Sequence, residues 1–389
     1  MALDPRSAGA SQGVLVILST LLPVLAIISL APALPTMLAH FAAVSGSPFL
    51  VPAALTMPGL CIALFSAPMG AAVDRFGRRS ILLPAMMLYG IAGMVPLMMD
   101  DLHVLLISRF ALGIAEAAIM TSASTLLADY FDGPVRARWI ALQAATLSIA
   151  ATVLYLVGGL LTSLDWRAPF LLYGFAFPLA LFAGYLLWEP KRDSEAVTQQ
   201  VRGQSRIDAR WFAWVLAVTL AGAIIFYVAP IQAGVLLAAN GVHDPAKAGL
   251  LGSVGTIGVP FGAWFFRRSS HRSIAGLLAT AFLCAGLGLA GMGWLRQPID
   301  ITVAMILNQF GCGVLLSSLI HWTMNGLPAA GRGRGIGIWT SAFFLGQFTS
   351  PLVIASLAET SGVRTAFFLS GGLAALLGIS MFFNGLRRA

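Results

Sequence analysis

Charged residues are scarce in this sequence. Only 10% of its 389 residues are charged, whereas 58% are hydrophobic, and this leaves too little polar surface for a water-soluble globule. The chain has only two lysines, Lys191 and Lys247. Because neither follows a glycine-rich loop, the sequence contains no P-loop for ATP. ATP-driven pumping by this chain alone is therefore not expected.

The sequence also lacks grouped metal-ligand residues. Its three cysteines, Cys61, Cys284 and Cys312, stand singly within apolar stretches, without a CxxC pair or a nearby histidine or acidic residue at ligand spacing. We therefore predict no metal site and no cofactor. The apolar segments contain no serine-histidine pair, HExxH motif or carboxylate pair either, so an enzyme is not predicted.

Positive charge outweighs negative charge. There are 23 lysines and arginines against 15 aspartates and glutamates, a formal net charge of +8. The arginines occur singly or in groups of two or three between long apolar runs, a pattern that fits anionic lipid headgroups better than nucleic acid. Membrane lipids are thus predicted partners and nucleic acids are not.

Twelve apolar segments are each long enough to cross about 30 Å of hydrocarbon. Each is predicted to be a helix, because backbone polar groups in lipid must pair within the segment. The first runs from about residue 13 to residue 38, which is longer than the apolar region of a signal peptide, and we expect it to be retained. The predicted fold class is an all-α polytopic membrane protein with twelve transmembrane helices.

One extended polar stretch interrupts this pattern. It lies between the sixth and seventh apolar segments, from Glu189 to Arg210, and contains few aliphatic residues, which is typical of a loop or a surface helix. We therefore predict an N-terminal six-helix bundle at residues 1–188, a cytoplasmic linker at 189–210 and a C-terminal six-helix bundle at 211–389.

The distribution of lysine and arginine predicts the orientation. With the N-terminus in the cytoplasm, 18 of the 23 basic residues fall on cytoplasmic segments, as the positive-inside rule requires. A missing or an extra span would destroy this bias. We therefore predict a multi-pass protein of the bacterial inner membrane with both termini cytoplasmic. The five basic residues elsewhere are Arg109, Arg167, Lys247, Arg296 and Arg364.

The two halves of the chain repeat each other. Three short patterns recur at intervals of about 200 residues. Two homologous six-helix halves are the architecture of many secondary transporters, in which the binding site lies near the membrane midplane between the halves. The recurring pairs are Arg109-x3-Gly113 with Gln309-x3-Gly313, Arg136-x-Arg138 with Arg332-x-Arg334, and Arg167-x2-Phe170 with Arg364-x2-Phe367.

The segment from Gly70 to Arg79, GAAVDRFGRR, closely resembles the signature loop of the major facilitator superfamily. Arg109-x3-Gly113 resembles the second motif of that superfamily, and Trp166-Arg167-x2-Phe170 resembles the junction after its fifth span. Together with the twelve segments and the duplication, these motifs identify the chain as a member. The resemblance covers the whole chain and implies two pseudo-symmetric six-helix bundles and a secondary transporter that works by alternating access.

The charges of this loop allow two interpretations. A positive-inside anchor would explain the arginines, which favour the anionic cytoplasmic surface. It would not explain Asp74, whose carboxylate can interact with the N-terminal end of another helix; in the family the equivalent residue locks the halves in the outward-open state. Gly70 is expected to permit close helix approach and Gly77 a tight turn. The predicted conformational switch comprises Gly70, Asp74, Arg75, Gly77, Arg78, Arg79 and Arg138.

Two charged residues, Arg109 and Glu116, lie within the fourth predicted span. Their spacing of seven places both on one helix face, about 10 Å apart along the axis. Glu116 stands where the second motif usually carries a small residue. Because a lone carboxylate at the midplane can take up a proton, Glu116 is the predicted proton-coupling residue; a hydroxyl or an arginine of a neighbouring helix could instead hold it permanently.

Arg109 has three interpretations. It could bind an anionic substrate, it could tune the protonation of Glu116, or its guanidinium could donate hydrogen bonds to carbonyls of the first span. The residue pattern does not decide among them.

Further polar and aromatic residues complete the predicted cavity. His321 on the tenth span could relay protons near neutral pH or make a structural hydrogen bond. Gln309, by its match to Arg109, and Gln347 offer neutral hydrogen-bonding groups. Tyr155 and Tyr227 could form an aromatic wall or serve as packing residues. The predicted substrate cavity comprises Arg109, Glu116, Tyr155, Tyr227, Gln309, His321 and Gln347, with Glu116 and His321 as the proton-coupling residues.

The leading functional hypothesis is proton-coupled efflux of small amphipathic compounds or metabolites by a monomer, because the overall pattern most resembles twelve-span drug and sugar-efflux antiporters. Two departures count against drug export. The fifth-span stretch from Ala150 to Gly159 lacks the proline of the exporters' glycine motif, and the first-span stretch from Ser19 to Leu38 has no acidic residue.

The alternative is proton-linked uptake of a small organic anion, with Arg109 as the counter-charge. A channel or a membrane receptor is a rival from a different class. The loops are too short to hold a signalling domain, and this counts against a receptor.

Overall fold

The computed structural model describes residues 8–190, 208–328 and 332–386. Within these ranges the chain is almost entirely helical and has no β-strand, which confirms the predicted fold class. Most of the predicted linker, residues 191–207, lies outside the described ranges, and so do the basic residues Arg6, Lys191, Arg192, Arg202, Arg206, Arg387 and Arg388.

Twelve helical segments of the described chain are long and apolar enough to cross a membrane. The predicted number of spans is therefore confirmed, and they are numbered 1 to 12 in chain order. Their bounds are Ala10–Ile28, Ala31–Ala33 and Leu34–His40 (span 1), Ser47–Phe76 (2), Arg78–Met94 and Val95–Leu97 (3), Leu102–Tyr130 (4), Gly133–Thr162 (5), Ala168–Phe175 and Ala176–Leu186 (6), Ala209–Ala238 (7), Pro245–Thr256 and Gly258–Ser269 (8), Ile274–Trp294 (9), Pro298–Gly326 (10), Arg332–Ser361 (11) and Val363–Leu386 (12).

Prolines explain two irregular spans. Pro96 has no N–H to offer the Ala92 carbonyl four residues earlier, and the end of span 3 tightens into a 3-10 turn. Pro260 likewise leaves the Thr256 carbonyl without its usual donor, and the helix of span 8 is interrupted at Ile257. The first irregularity frees an acceptor inside the N-terminal half, and the second divides span 8 into two parts.

Gly77 turns the chain sharply between spans 2 and 3. Its φ is 100°, which residues with a side chain rarely adopt, and a Cβ at this position would lie 2.8 Å from the Glu189 carboxylate. The side of the molecule that holds this turn is called the loop face below, and the other side is called the opposite face. The assignment of the loop face to the cytoplasm stays a prediction.

Buried hydrophobic side chains form two large clusters. One contains residues of spans 1 to 4 and 6 and of their connections, from Leu15 to Leu187, together with Ile231 of span 7; span 5 packs against it with the partly buried Trp139 and Leu154. The other contains residues of spans 7 to 12, from Phe212 to Ala374. Each half of the chain thus builds its own core, while the domain bounds 1–188 and 211–389 stay a prediction.

One seam between the halves joins span 5 to the first part of span 8. Gly159 and Gly249 approach so closely that a Cβ on Gly159 would lie 2.6 Å from the Gly249 Cα. The hydroxyls of Thr152 and Thr256 lie 3.2 Å apart and share a hydrogen bond. Paired small residues allow this approach of two helix backbones, and the seam is closed toward the opposite face.

The second seam joins spans 2 and 11. The Thr56 hydroxyl donates to the Phe348 carbonyl at 3.3 Å, and the Ser341 hydroxyl donates to the Ala63 carbonyl at 2.8 Å. Toward the loop face the halves are apart on the side of span 5, because span 5 makes little contact there with Gly258–Ser269. The structure is therefore a state that is open to the loop face.

The close packing of spans 2 and 4 is testable at Gly113. A Cβ at Gly113 would lie 2.6 Å from the Cys61 Cβ and 2.7 Å from the Pro58 Cα. Gly113→Ala should lower the free energy of unfolding by about 1–3 kcal/mol through overpacking. Unfolding of the purified protein in detergent would measure this.

Gly372→Ala is the matched control, because nothing lies within 4 Å of the added Cβ. This helical substitution should leave stability unchanged or raise it by about 0.5–1 kcal/mol. Equal losses in both variants would contradict the packing account.

Candidate functional site

A cavity of about 360 Å³ lies between the two halves. Spans 1, 4, 5, 7, 8, 10 and 11 contribute to its wall. Most of the wall is apolar, and among the described residues no aspartate, glutamate, lysine, arginine or histidine lines it. The polar groups are hydroxyls and amides, and they come from Thr20, Ser124, Gln143, Ser148, Tyr227, Thr256, Gln309 and Gln347.

Two of the amides are held by their neighbours. Gln347 is only 4% exposed and lies against span 2, where a Cβ on Gly59 would be 2.6 Å from its Oε1. That oxygen is buried and has no hydrogen-bond partner within the described ranges. Gln309 Nε2 donates to Asn308 Oδ1 at 2.8 Å, and Asn308 Nδ2 donates to the Ala285 carbonyl at 2.9 Å. The Gln347 oxygen thus lies against span 2, where its desolvation is not compensated.

The structure divides the predicted cavity residues into two groups. Tyr227, Gln309 and Gln347 line the cavity together. Arg109, Glu116, Tyr155 and His321 are not among its lining residues. The roles of all seven in transport stay predictions, but only the first group is positioned to touch a molecule bound in this state.

Arg109 is solvated by the protein inside the N-terminal half. It is 1% exposed, and its Nη2 donates to the Gly93 carbonyl at 2.9 Å and to the Ala92 carbonyl at 3.4 Å. The guanidinium carbon also lies 5.1 Å from the ring centroid of Phe170 and 4.7 Å from that of Tyr173, within the range of cation–π attraction. Its Nε and Nη1 have no partner among the described residues.

One of the three interpretations of Arg109, hydrogen bonds to carbonyls of the first span, is wrong for this structure. Two tyrosines take those acceptors: the Tyr89 hydroxyl donates to the Leu22 carbonyl at 2.6 Å, and the Tyr173 hydroxyl donates to the Ala26 carbonyl at 2.8 Å. Arg109 instead uses the end of span 3, where Pro96 leaves a carbonyl without its helical donor.

Glu116 lies behind the cavity wall. It is 2% exposed, and its Oε1 is buried without a hydrogen-bond partner in the described part of the chain. No ion pair within 4.0 Å joins it to Arg109 in that part. In the alternative interpretation, a hydroxyl or an arginine holds the carboxylate. At Oε1 the structure shows no hydrogen bond of this kind. An ionised carboxylate in this place would be much more destabilising than a protonated one.

Tyr155 and His321 occupy very different surroundings. Tyr155 is fully buried at the closed seam, where its ring fills the space beside Gly252. His321 is exposed; its Nε2 lies 3.0 Å from Asn325 Nδ2, and its ring centroid is 5.6 Å from that of Phe266. Asn325 is thus the partner for the structural hydrogen bond that was the alternative interpretation of His321.

The predicted switch loop is tied to its own half in this state. Arg78 Nε lies 2.8 Å from Asp129 Oδ2, close enough for an ion pair although the angle does not suit a hydrogen bond. The carboxylate of Glu189 accepts from the backbone N–H groups of Arg78 at 2.6 Å and Arg79 at 2.9 Å. A carboxylate at these first N–H groups of span 3 caps the helix and complements its dipole.

The other members of the predicted switch are free of such bonds. Asp74, Arg75 and Arg138 are exposed, and Asp74 has no hydrogen bond or ion pair within the described ranges. Gly70 is loosely packed, since the nearest atom to an added Cβ is Thr121 Cγ2 at 4.0 Å. Asp74 therefore has no partner to lose when the halves move.

Sequence reasoning missed several groups in the cavity wall. Gln143, Ser148, Thr20 and Thr256 line the cavity but were not among the predicted residues. Their signal was a polar residue within an apolar span, which is expensive unless it faces protein or water. Gln143 is the clearest case, because it is the single amide of the fifth span.

A family model described as Major Facilitator Superfamily matches residues 16–331. The chain belongs to this superfamily. Among its relatives, the tetracycline resistance protein, class C, of Escherichia coli is 25% identical over 356 residues, which are 83% of this chain and 84% of that protein. The bacillibactin exporter of Bacillus subtilis is 24% identical over 330 residues, which are 77% of this chain and 79% of that protein.

The solved structures agree on the fold. The crystal structure of a D-xylose-proton symporter superposes with a TM-score of 0.79 at 15% identity, covering 95% of this chain and 96% of that chain. This likeness shows the fold alone. The predicted superfamily and its twelve-helix fold are confirmed, and the protein is a membrane transporter of the superfamily.

Two aspartates of the loop face should respond differently to substitution. Asp129→Asn removes the partner of Arg78 and should lower the stability of this state by about 0.5–1 kcal/mol, as expected for a partly exposed ion pair. Asp74→Asn removes no bond here and should leave thermal unfolding unchanged. The same loss in both variants would contradict the assignment of partners.

Asp74→Asn should nevertheless shift the conformational equilibrium. If Asp74 stabilises only the other state, its loss raises the population that is open to the loop face. Spin labels at Val135, which is 49% exposed, and at Arg334, one on each half, would report this as a gain of the longer distance. An unchanged distance distribution would remove Asp74 from the switch.

Proposed function

We propose that this transporter exports small, uncharged amphipathic compounds in exchange for protons, by alternating access from the bacterial inner membrane. The observation that carries the proposal is the wall of the central cavity, which offers amides and hydroxyls on an apolar surface and no charged side chain among the described residues. Such a wall binds apolar surface with a few polar groups and gives no compensation for dehydrating an ion.

The relatives support the export direction. One is a tetracycline resistance protein and another a bacillibactin exporter.

The alternative function is uptake of an organic anion, which would need a positively charged side chain in the cavity wall. Arg109 was the group expected to bind the anion, but it does not line the cavity. Its guanidinium is engaged by the Gly93 carbonyl and by two aromatic rings. No other cation lines the cavity within the described ranges.

Glu116 is the proposed proton carrier, and span 4 is the proposed link to the cavity. Met120 and Ser124 lie four and eight residues after Glu116 on this span and line the cavity; this spacing places all three on one helix face. A protonated Glu116 is compatible with burial in the loop-open state. Release of the proton requires water or a cation, so the ionised form favours another conformation.

Glu116→Gln should abolish proton coupling and preserve binding. In proteoliposomes with an imposed pH gradient, the variant should exchange substrate across the membrane but should no longer accumulate it against its gradient. Wild-type accumulation in this variant would exclude Glu116 as the coupling residue. Arg109→Ala is not a suitable control, since it removes a buried guanidinium that contacts the Gly93 carbonyl and two aromatic rings.

The substrate class can be tested by counterflow with neutral, cationic and anionic compounds of similar size. Neutral amphipathic compounds should compete best. Gln347→Leu should weaken their binding about fivefold, the equivalent of one hydrogen bond of about 1 kcal/mol. Gln232→Leu is the matched control, because Gln232 is also a 4% exposed amide but does not line the cavity. Preferential binding of anions would overturn the proposal.

A further inference from the structure

We infer that the cavity has a side entrance from the bilayer, between span 5 and the second part of span 8, through which uncharged apolar or amphipathic molecules pass. A crevice of about 540 Å³ lies between these spans. Its lining includes Ala145 and Ile149 of span 5 and Pro260 and Ala263 of span 8, and Ser148 and Thr152 are the only polar residues among the described ones that line it. The inference rests on the proposed function for its biological meaning.

The crevice and the cavity share a wall. Ser148 lines both spaces. On span 8, Thr256 and Val259 line the cavity, while their immediate neighbours Ile257 and Pro260 line the crevice. The two spaces are therefore separated by no more than the width of these side chains.

The interruption of span 8 determines where the crevice begins. Span 5 packs along Pro245–Thr256 and makes little contact with Gly258–Ser269. The hydrogen bond between Thr152 and Thr256 marks the edge of the packed region. Just beyond it, Pro260 removes a helical hydrogen bond and the helix breaks at Ile257, and the two spans are no longer packed together.

The other seam between the halves differs in this respect. Spans 2 and 11 are joined by hydrogen bonds from Thr56 to Phe348 and from Ser341 to Ala63. Between them, Gln347 fills the space at Gly59. This seam is packed from the middle of span 2 onward, so the side opening lies on one flank of the molecule.

The surroundings of the crevice favour an occupant from the lipid. Ile149 is 66% exposed, Val153 is 50% exposed and Ile257 is 38% exposed, and all three line it. Exposed aliphatic side chains in the middle of membrane spans face acyl chains. An ion would gain no partner from these walls, whereas an uncharged molecule already dissolved in the bilayer would need only to move sideways.

Photolabelling tests the entrance without knowledge of the substrate. The full-length protein would be reconstituted in vesicles of phosphatidylethanolamine and phosphatidylglycerol and irradiated with a neutral aryl diazirine that partitions into the bilayer. Labelled residues would then be mapped by mass spectrometry. In the wild-type protein we expect labels on Val24 and Phe226, which line the cavity, as well as on Leu373 of span 12, which is 63% exposed.

Ala145→Trp should close the crevice and remove most of the labelling of Val24 and Phe226. The control Leu142→Trp lies on the same span, is 49% exposed in the native protein and lines neither space; it should keep that labelling. Ala263→Trp fills the crevice from span 8 and should repeat the loss if Ala145→Trp folds poorly. Labelling of Leu373 reports the folded, membrane-embedded protein in every sample.

Two results would overturn the entrance. One is cavity labelling that persists in both crevice variants, and the other is a wild-type cavity that stays unlabelled while Leu373 is labelled. Because the assay measures access and not transport, either result would leave the proposed export function standing. Conversely, a failure of Glu116→Gln to uncouple transport would not bear on the entrance.

Discussion

A charge buried in a membrane protein must be solvated by the protein itself, and this requirement organises the N-terminal half. Arg109 meets it with a carbonyl that Pro96 leaves free and with the faces of two aromatic rings. A hydrogen bond to a charged group contributes about 1.5–3 kcal/mol, and a desolvated cation–π contact about 2 kcal/mol. Span 3, span 4 and span 6 are thereby joined around one guanidinium. Glu116, two turns away on the same span, receives no such support at its buried oxygen.

The same requirement keeps the charged side chains of span 4 apart from the cavity wall. Since both intramembrane charges of the fourth span lie behind the wall, the cavity can be apolar with scattered amides. In the proposed mechanism, a proton on Glu116 would act on the cargo through the position of span 4, not through direct contact. The closed and open parts of the molecule also follow from simple causes: paired glycines such as Gly159 and Gly249 bring backbones together, and Pro260 ends the packing of the same two spans.

The sequence predicted the parts of the fold that depend on composition and local pattern. Twelve apolar segments, the repeated halves and the turn at Gly77 follow from hydrophobicity, duplication and the special backbone of glycine. Which side of each span faces the cavity could not be predicted in the same way, because lipid-facing and core-facing side chains are equally apolar. Tyr227 and Gln347, two of the predicted residues, line the cavity, as does Gln143, which was not predicted; their roles in transport stay predictions. The acceptors of Arg109 were missed because tyrosine hydroxyls from other spans compete for the first-span carbonyls.

An uncharged cargo has a consequence for energetics. When a neutral molecule leaves in exchange for a proton on Glu116, each proton that enters moves one net charge across the membrane. The membrane potential then contributes about 2.3 kcal/mol per 100 mV in addition to the pH gradient. A cationic cargo exchanged for one proton would gain nothing from the potential. Under the proposed function, the absence of a carboxylate from the described cavity wall would therefore bear on the driving force as well as on specificity, because an uncharged cargo is the class whose export would use both components of the proton gradient.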